Sequence, residues 1–156
     1  MTQLTIRNAQ FSEDISEISN LIEEYIATID RTACRDEIES ALAGLPAPYD
    51  RAGNGYFLAQ SGAAIAGGVA FSRLETGEAE MARLFVRPEY RHHGVGRALV
   101  LRALEEAAAL GYRRMVLHTL PEWRAARALY ADLEFEPIAA YAGVAVAEAM
   151  CYGRDL

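Results

Sequence analysis

The spacing of apolar residues changes character several times along the chain, and each change marks an element. Leu4 to Arg7 reads as a short strand. Phe11, Ile15, Ile18, Ile22, Tyr25 and Ile29 then recur in steps of four and three, which gathers them on one helical face. Ser12 is the expected N-cap, and Glu13 and Asp14 fall where the helix dipole favours anions. A second helical piece, about Ala33 to Ala43, ends at Gly44, and Leu45-Pro46-Ala47-Pro48 breaks any continuation.

Beyond residue 50 the helical period gives way to strand-like runs. Gly55 to Gln60, Ala64 to Arg73 and Glu78 to Arg87 are separated by the turn sequences Ser61-Gly62 and Glu75-Thr76-Gly77, so an antiparallel meander is predicted. Pro88 ends the last of these runs. Val95, Leu99, Ala103, Leu104, Ala107 and Leu110 mark an amphipathic helix that closes at Gly111. Arg113 to Thr119 reads as a strand and Trp123 to Leu133 as a helix, with Phe135 to Tyr141 and Ala147 to Tyr152 as final strands. No repeat or linker divides residues 1–156, which predicts one α+β domain around a central mixed sheet.

Composition narrows the class without choosing a function. At 156 residues, with 52% hydrophobic and 24% charged residues, the chain is an ordinary globular domain, neither disordered nor fibrous. No apolar run is long enough to span a bilayer, and Met1-Thr2-Gln3-Leu4-Thr5 lacks the order of a secretion signal, so a cytoplasmic protein without a membrane partner is expected. Cys34 and Cys151 do not make a disulfide framework and read as buried or inert thiols. A nucleophilic cysteine is the weaker alternative, since nothing near either in sequence suggests a Cys-His pair.

Charge changes the picture more. Of the net charge of −7, the whole deficit falls in residues 1–50, which hold ten acids against three arginines. Arg83 to Arg102, by contrast, contains Arg83, Arg87, Arg91, Arg97 and Arg102 with Glu89 as its one acid. Such a segment suits a polyanionic ligand, whereas the acidic whole argues against a nucleic-acid partner.

The chemistry concentrates in the same segment, where the strand ending at Arg87 runs through Arg91-His92-His93-Gly94-Val95-Gly96-Arg97 into a helix. A helix's first turn leaves backbone N–H groups unpartnered, and with the positive end of the dipole they form an anion site. Gly94 and Gly96 let a phosphate approach, and Arg91 and Arg97 would add charge. The Lys-Ser/Thr end of a nucleotide P-loop is missing. The bland alternative is that the glycines only shape the turn.

The order of elements, the Arg/Gln-x-x-Gly-x-Gly/Ala signature at Arg91, Gly94 and Gly96, and the run Ala126-Arg127-Ala128-Leu129-Tyr130-Ala131-Asp132-Leu133-Glu134-Phe135 together resemble the GNAT family of N-acetyltransferases. The resemblance implies an α/β/α domain: a mixed, mostly antiparallel sheet flanked by about four helices and splayed between the strands Glu80 to Arg87 and Arg113 to Thr119. It implies acetyl-CoA as cosubstrate and no metal. The pantetheine arm would lie along Leu84, Phe85 and Val86, bonded to the backbone of Leu84 and Val86 as an added strand is. The N–H groups of His92, His93, Gly94, Val95, Gly96 and Arg97 would hold the pyrophosphate.

The resemblance also assigns chemistry. Tyr130 matches the family's acid for the departing thiolate, with packing beside Leu129 and Leu133 as the structural alternative. Glu80 stands where relatives place a carboxylate that activates the amine, often through water, and an exposed strand-edge acid is its alternative. His118 is a rival base, since histidine ordinarily titrates near pH 6.5, although a structural histidine is the commoner outcome. His92 and His93 have no third ligand in view, so metal binding is not expected. The acceptor is expected to be a small-molecule primary amine, cationic if the acidic first helices cover it, acetylated by direct transfer in a ternary complex. A non-catalytic CoA-binding or regulatory domain is the alternative, and a homodimer is compatible with the sequence. Two departures bear on this. Trp123 replaces an Asn that bonds to pantetheine, and Glu134 replaces the Gly that ends the helix before Phe135.

Overall fold

Phe57 and Ala59 of one strand face one hydrophobic cluster while Tyr56 and Leu58 face another, so this strand is buried on both sides. Two-sided burial explains why the middle of the chain reads as continuous apolar runs and why helices must cover both faces of the sheet. The computed structural model describes residues 3–144 and 146–156; the expectation about the start of the chain at Met1 and Thr2 lies outside the described residues. Its elements are β1 (Leu4–Asn8), α1 (Phe11–Ile26), α2 (Thr32–Gly44), β2 (Gly55–Ser61), β3 (Ala64–Arg73) and β4 (Ala79–Val86). A 3₁₀ turn (Pro88–Tyr90) leads to α3 (Val95–Ala109), β5 (Arg114–Thr119), α4 (Arg124–Asp132), β6 (Glu136–Ile138) and β7 (Met150–Asp155).

The strands form one sheet in the order β1-β2-β3-β4-β5-β7-β6, antiparallel throughout except for the parallel step from β4 to β5. Ile18, Leu21 and Ile22 of α1 and Ile38 of α2 fill the core on one face. Val95, Leu99, Val100 and Ala103 of α3, with Tyr130 of α4, fill the other. This is the expected α/β/α arrangement, with a mixed and mostly antiparallel sheet between four helices.

Three expectations need correction. Ser12 is not the N-cap of α1. That position is Gln10, and the end is closed from inside the helix by Asp14, whose carboxylate accepts the Gln10 N–H at 2.7 Å. The strand expected over Phe135 to Tyr141 is confined to Glu136–Ile138, because Pro137 has no N–H to donate and the strand lies at the sheet edge. The last strand lies three residues later than expected, since pairing with β5 begins at Thr119 opposite Met150 and runs to Arg114 opposite Asp155.

Asp14 also ties α1 to β1. Its buried carboxylate accepts 2.7 and 2.9 Å bonds from the Arg7 guanidinium. Hydrogen bonding from Arg7 outweighs burial and holds the Asp14 carboxyl below the usual range. A carboxyl whose native pKa is depressed contributes stability that is complete above its unfolded value, near 4, and is lost as pH falls through the native one. Asp14→Asn should therefore cost about 1–3 kcal/mol at pH 7. In urea titrations the gap to wild type should shrink toward pH 3.

Candidate active site

Between β4 and β5 the sheet comes apart. Only Ala79 with Met115 and Glu80 with Val116 are paired, and from Met81 to Val86 the two strands diverge. A cleft of about 810 Å³ occupies the divergence, within the size range of small-molecule sites. Arg91, His92, Gly94, Val95, Gly96 and Arg97 line one end, Leu84, Phe85 and Val86 one wall, and His118, Trp123 and Tyr130 the remainder. His93 and Glu80 are not part of this lining.

At the first end, the chain enters α3 through Gly94, its N-cap, with φ of 78°. His92 is left-handed too, at 66°. A methyl group on Gly94 would meet nothing within 4 Å, so the backbone conformation, not crowding, calls for glycine there. The N–H of Ala98 reaches the C=O of Gly94 at 3.0 Å as the first bond of the helical series, which leaves those of Val95, Gly96 and Arg97 at the open helix end. Both neighbouring arginines are turned onto the protein. Arg91 Nε donates to the Val86 C=O at 2.8 Å with its guanidinium 5.6 Å from the Phe85 ring centre, and Arg97 pairs with Asp132.

Along the wall, β4 carries a bulge. Gly68 pairs with Phe85 and Ala70 with Ala82, so Val69 alone lies opposite both Arg83 and Leu84. Arg83 adopts φ of 60°, a left-handed conformation rare for a residue with a side chain. The extra residue reverses the alternation: Ala79 and Met81 face the α3 side, whereas Phe85 faces the α1 side. Arg83, Phe85, Glu80 and His118 thus meet beneath α1 and α2.

There the polar groups form a chain. Tyr141 donates its hydroxyl proton to Glu80 Oε2 at 2.7 Å and lies 3.2 Å from His118 Nδ1, while Glu80 Oε2 itself is 3.6 Å from that nitrogen. A Tyr141 proton spent on Glu80 leaves its oxygen to accept, which assigns the imidazole proton to Nδ1 and the lone pair to Nε2. His118 Nε2 is 3.9 Å from Glu37 Oε2, and Arg83 Nη2 is 3.9 Å from Glu37 Oε1. Burial would raise the Glu80 carboxyl, but hydrogen bonds from His118 and Tyr141 together with the charges of His118 and Arg83 hold it below the usual range. Burial and the adjacent Glu80 push the Tyr141 phenol upward.

Of this group, only Glu80 and His118 were legible as candidates. Tyr141, Arg83 and Glu37 were missed. Tyr141 lies in a loop outside any motif, Arg83 reads as one more residue of a strand, and Glu37 reads as one of several acids on an exposed helix. His118, 16% exposed and bonded to Tyr141, also lines the cleft.

Tyr130 reaches the cleft from α4 with 6% of its surface exposed, its ring between Phe135 and Tyr152. Burial pushes its phenol upward, so it stays protonated at neutral pH. Trp123 caps α4 and packs 5.6 Å from the Tyr25 ring. Glu134 takes the left-handed conformation expected of the Gly it replaces, φ 68°, and the Phe135 N–H still closes onto the Tyr130 C=O at 2.9 Å. Cys34 and Cys151 are both buried, and burial pushes their thiols upward, away from the thiolate a nucleophile needs.

The fold and cleft have counterparts among known proteins. The profile of the Acetyltransferase (GNAT) family matches residues 18–135. The uncharacterized N-acetyltransferase YjgM of Escherichia coli (strain K12) is 30% identical over 93 residues, covering 58% of this chain. The matched stretch spans 56% of that relative's length. Among solved structures, an acetyltransferase of the GNAT family from Staphylococcus aureus Mu50 superposes with a TM-score of 0.78 at 19% identity, over 98% of this chain and 99% of the other. YncA from Salmonella typhimurium, solved with its cofactor acetyl-CoA, gives 0.77 at 21% identity over 97% and 93%. With most of its length matched by the family profile, and with the same fold as these structures, the chain belongs to the acetyltransferase (GNAT) family.

Proposed function

We propose that the protein transfers an acetyl group from acetyl-CoA to a primary amine of a small molecule, directly and without a covalent enzyme intermediate. The observation that carries this reading is one continuous cleft with an open helix N-terminus at one end and Tyr130 and His118 further along it. The cleft fits the cosubstrate. The N–H groups of His92 to Arg97 would hold the pyrophosphate, and the edge of β4 at Leu84 to Val86 would hold the pantetheine arm. Arg91 would then give up the Val86 C=O and turn toward the phosphates.

When bound, acetyl-CoA supplies an acetyl group activated as a thioester. His118 Nε2 takes a proton from the attacking amine, and the Tyr141 oxygen and the Glu80 carboxylate steady the resulting imidazolium through Nδ1. Glu80 acts through these two groups and does not touch the amine itself. Tyr130 gives its phenolic proton to the departing sulfur, and exchange with water restores both groups. The alternative of a CoA-binding module without turnover predicts the same affinity for CoA but no thiol release.

Calorimetry with CoA and thiol release from acetyl-CoA across a panel of amines test the reading together. Gly94→Val, which puts a β-branched side chain at a left-handed position, should weaken CoA binding about tenfold or more, since such a strain is worth about 1–3 kcal/mol. An unchanged Kd would move the anion site elsewhere. The chain contains no lysine, so acetylation of its own side-chain amines does not contribute to the thiol signal.

A further inference from the structure

Arg83 is a buried cation whose donors are largely unspent. Its side chain is 12% exposed, and its Nε is buried without a hydrogen-bond partner among the described residues. Its closest carboxylate, Glu37, is 3.9 Å from Nη2, too far for a hydrogen bond. Against the cost of burial, Tyr49 and Glu37 favour its charged form. A guanidinium taken out of water and left incompletely bonded is destabilising, and here it also stands on a left-handed backbone at a bulge. Both costs are borne at a residue that lines the cleft on the α1 and α2 side, beside His118. The acyl-transfer chemistry described above makes no use of it.

We propose that Arg83 receives the carboxylate of the acceptor, so that the amine acetylated is the α-amine of an amino acid or of a close derivative with its carboxylate free. This rests on the acetyl-transfer reading and names the acceptor class for the same site. The planar guanidinium fork matches a carboxylate with two parallel hydrogen bonds. Glu37 marks the geometry. One of its oxygens lies 3.9 Å from Arg83 and the other 3.9 Å from His118 Nε2, so a single carboxylate already spans the two groups. A ligand carboxylate on Arg83 brings an amine on the adjacent carbon toward His118, with Glu37 alongside to favour its cationic form on entry. In the reaction the ammonium first gives one proton to water, and the neutral amine nitrogen then bonds to the acetyl carbon as the carbon–sulfur bond breaks. One amine proton passes to His118 and the sulfur takes one from Tyr130, giving an N-acetylamino acid and free CoA.

The test compares each standard amino acid with the amine left when its carboxylate is removed, for instance leucine with isoamylamine and phenylalanine with phenethylamine, by thiol release from acetyl-CoA. Wild-type protein should favour at least one carboxylate-bearing partner by about 10²- to 10³-fold in kcat/KM, the scale for truncating one side of a buried charge pair. Arg83→Gln should collapse that ratio toward one, and Arg83→Lys should restore part of it. A structural role for Arg83 predicts instead that both members of a pair fall together and the ratio survives. Amines that match or outperform their amino acids with the wild-type protein overturn the proposal without any variant. The same pairs are titrated calorimetrically into protein saturated with CoA. Binding that needs both the carboxylate and Arg83 sustains the proposal even if no thiol is released, in which case the acetyl-transfer reading alone fails. Absence of heat from every amino acid overturns it while leaving CoA binding intact.

Discussion

Tyr130→Phe should lower kcat by about 10²- to 10⁴-fold, the range contributed by a positioned general acid, while leaving the Kd for CoA within about twofold. The substitution removes one oxygen and retains the ring. Tyr130 packs by that ring, 5.8 Å from the Phe135 centroid and 6.2 Å from that of Tyr152, and Phe keeps both contacts. The proposed pyrophosphate site at the start of α3 would draw on backbone groups of another element, which the substitution leaves untouched. A purely packing role for Tyr130 predicts a change in kcat below about threefold. A loss of CoA affinity in step with kcat would instead make the hydroxyl a binding group. Steady-state kinetics with calorimetry on the same preparation separates the three.

Leu99→Ala should destabilise the fold by about 2–5 kcal/mol, read as a shift in the urea midpoint at unchanged slope. Leu99 is fully buried and sits mid-helix in α3, in the cluster with Phe57, Val69, Phe71 and Met115. Its removal leaves a void that rigid strands cannot close. α3 also carries the open N-terminus, so stability and cosubstrate binding are linked. CoA at about a hundred times its Kd should return about 2.7 kcal/mol to the variant. Recovery well below that figure would mean that the shortened side chain has shifted the helix end itself.

Much of the fold was legible because its apolar positions follow two clean periods. The steps of four and three in α1 and the turn residues between β2, β3 and β4 each have one local solution, and the structure adopts it. The tight turn into α3 was legible for the same reason, and Gly94 is left-handed there. The remainder depends on contacts that no local pattern encodes. Asp14 displaces Ser12 as the closing group of α1 only because Arg7 of β1 lies against it. The strand β7 takes its register from β5, a neighbour in space and not in sequence. Gly67 and Gly68 look like weak points in a strand, yet a methyl on Gly67 would stand 2.4 Å from the Phe85 carbonyl oxygen, so close approach to β4 calls for glycine. The bulge that turns Arg83 toward α1 and α2 has no signature at all, and neither does the loop that returns Tyr141 to Glu80.

The divergence of β4 from β5 leaves main-chain amides and carbonyls without a strand partner along the cleft. Peptide groups are the same in every sequence except at proline, which lacks the N–H, so no single substitution in that wall other than to proline can delete the donor or acceptor it presents. Where such groups hold a ligand, other substitutions weaken the hold by proxy, through residues that set the tilt and spacing of the two strands. Apart from those at the turn around Gly94, substitutions that harm cosubstrate affinity should therefore scatter through both cores, at a distance from the proposed contacts. Those that alter acceptor choice should cluster at the side chains facing α1 and α2.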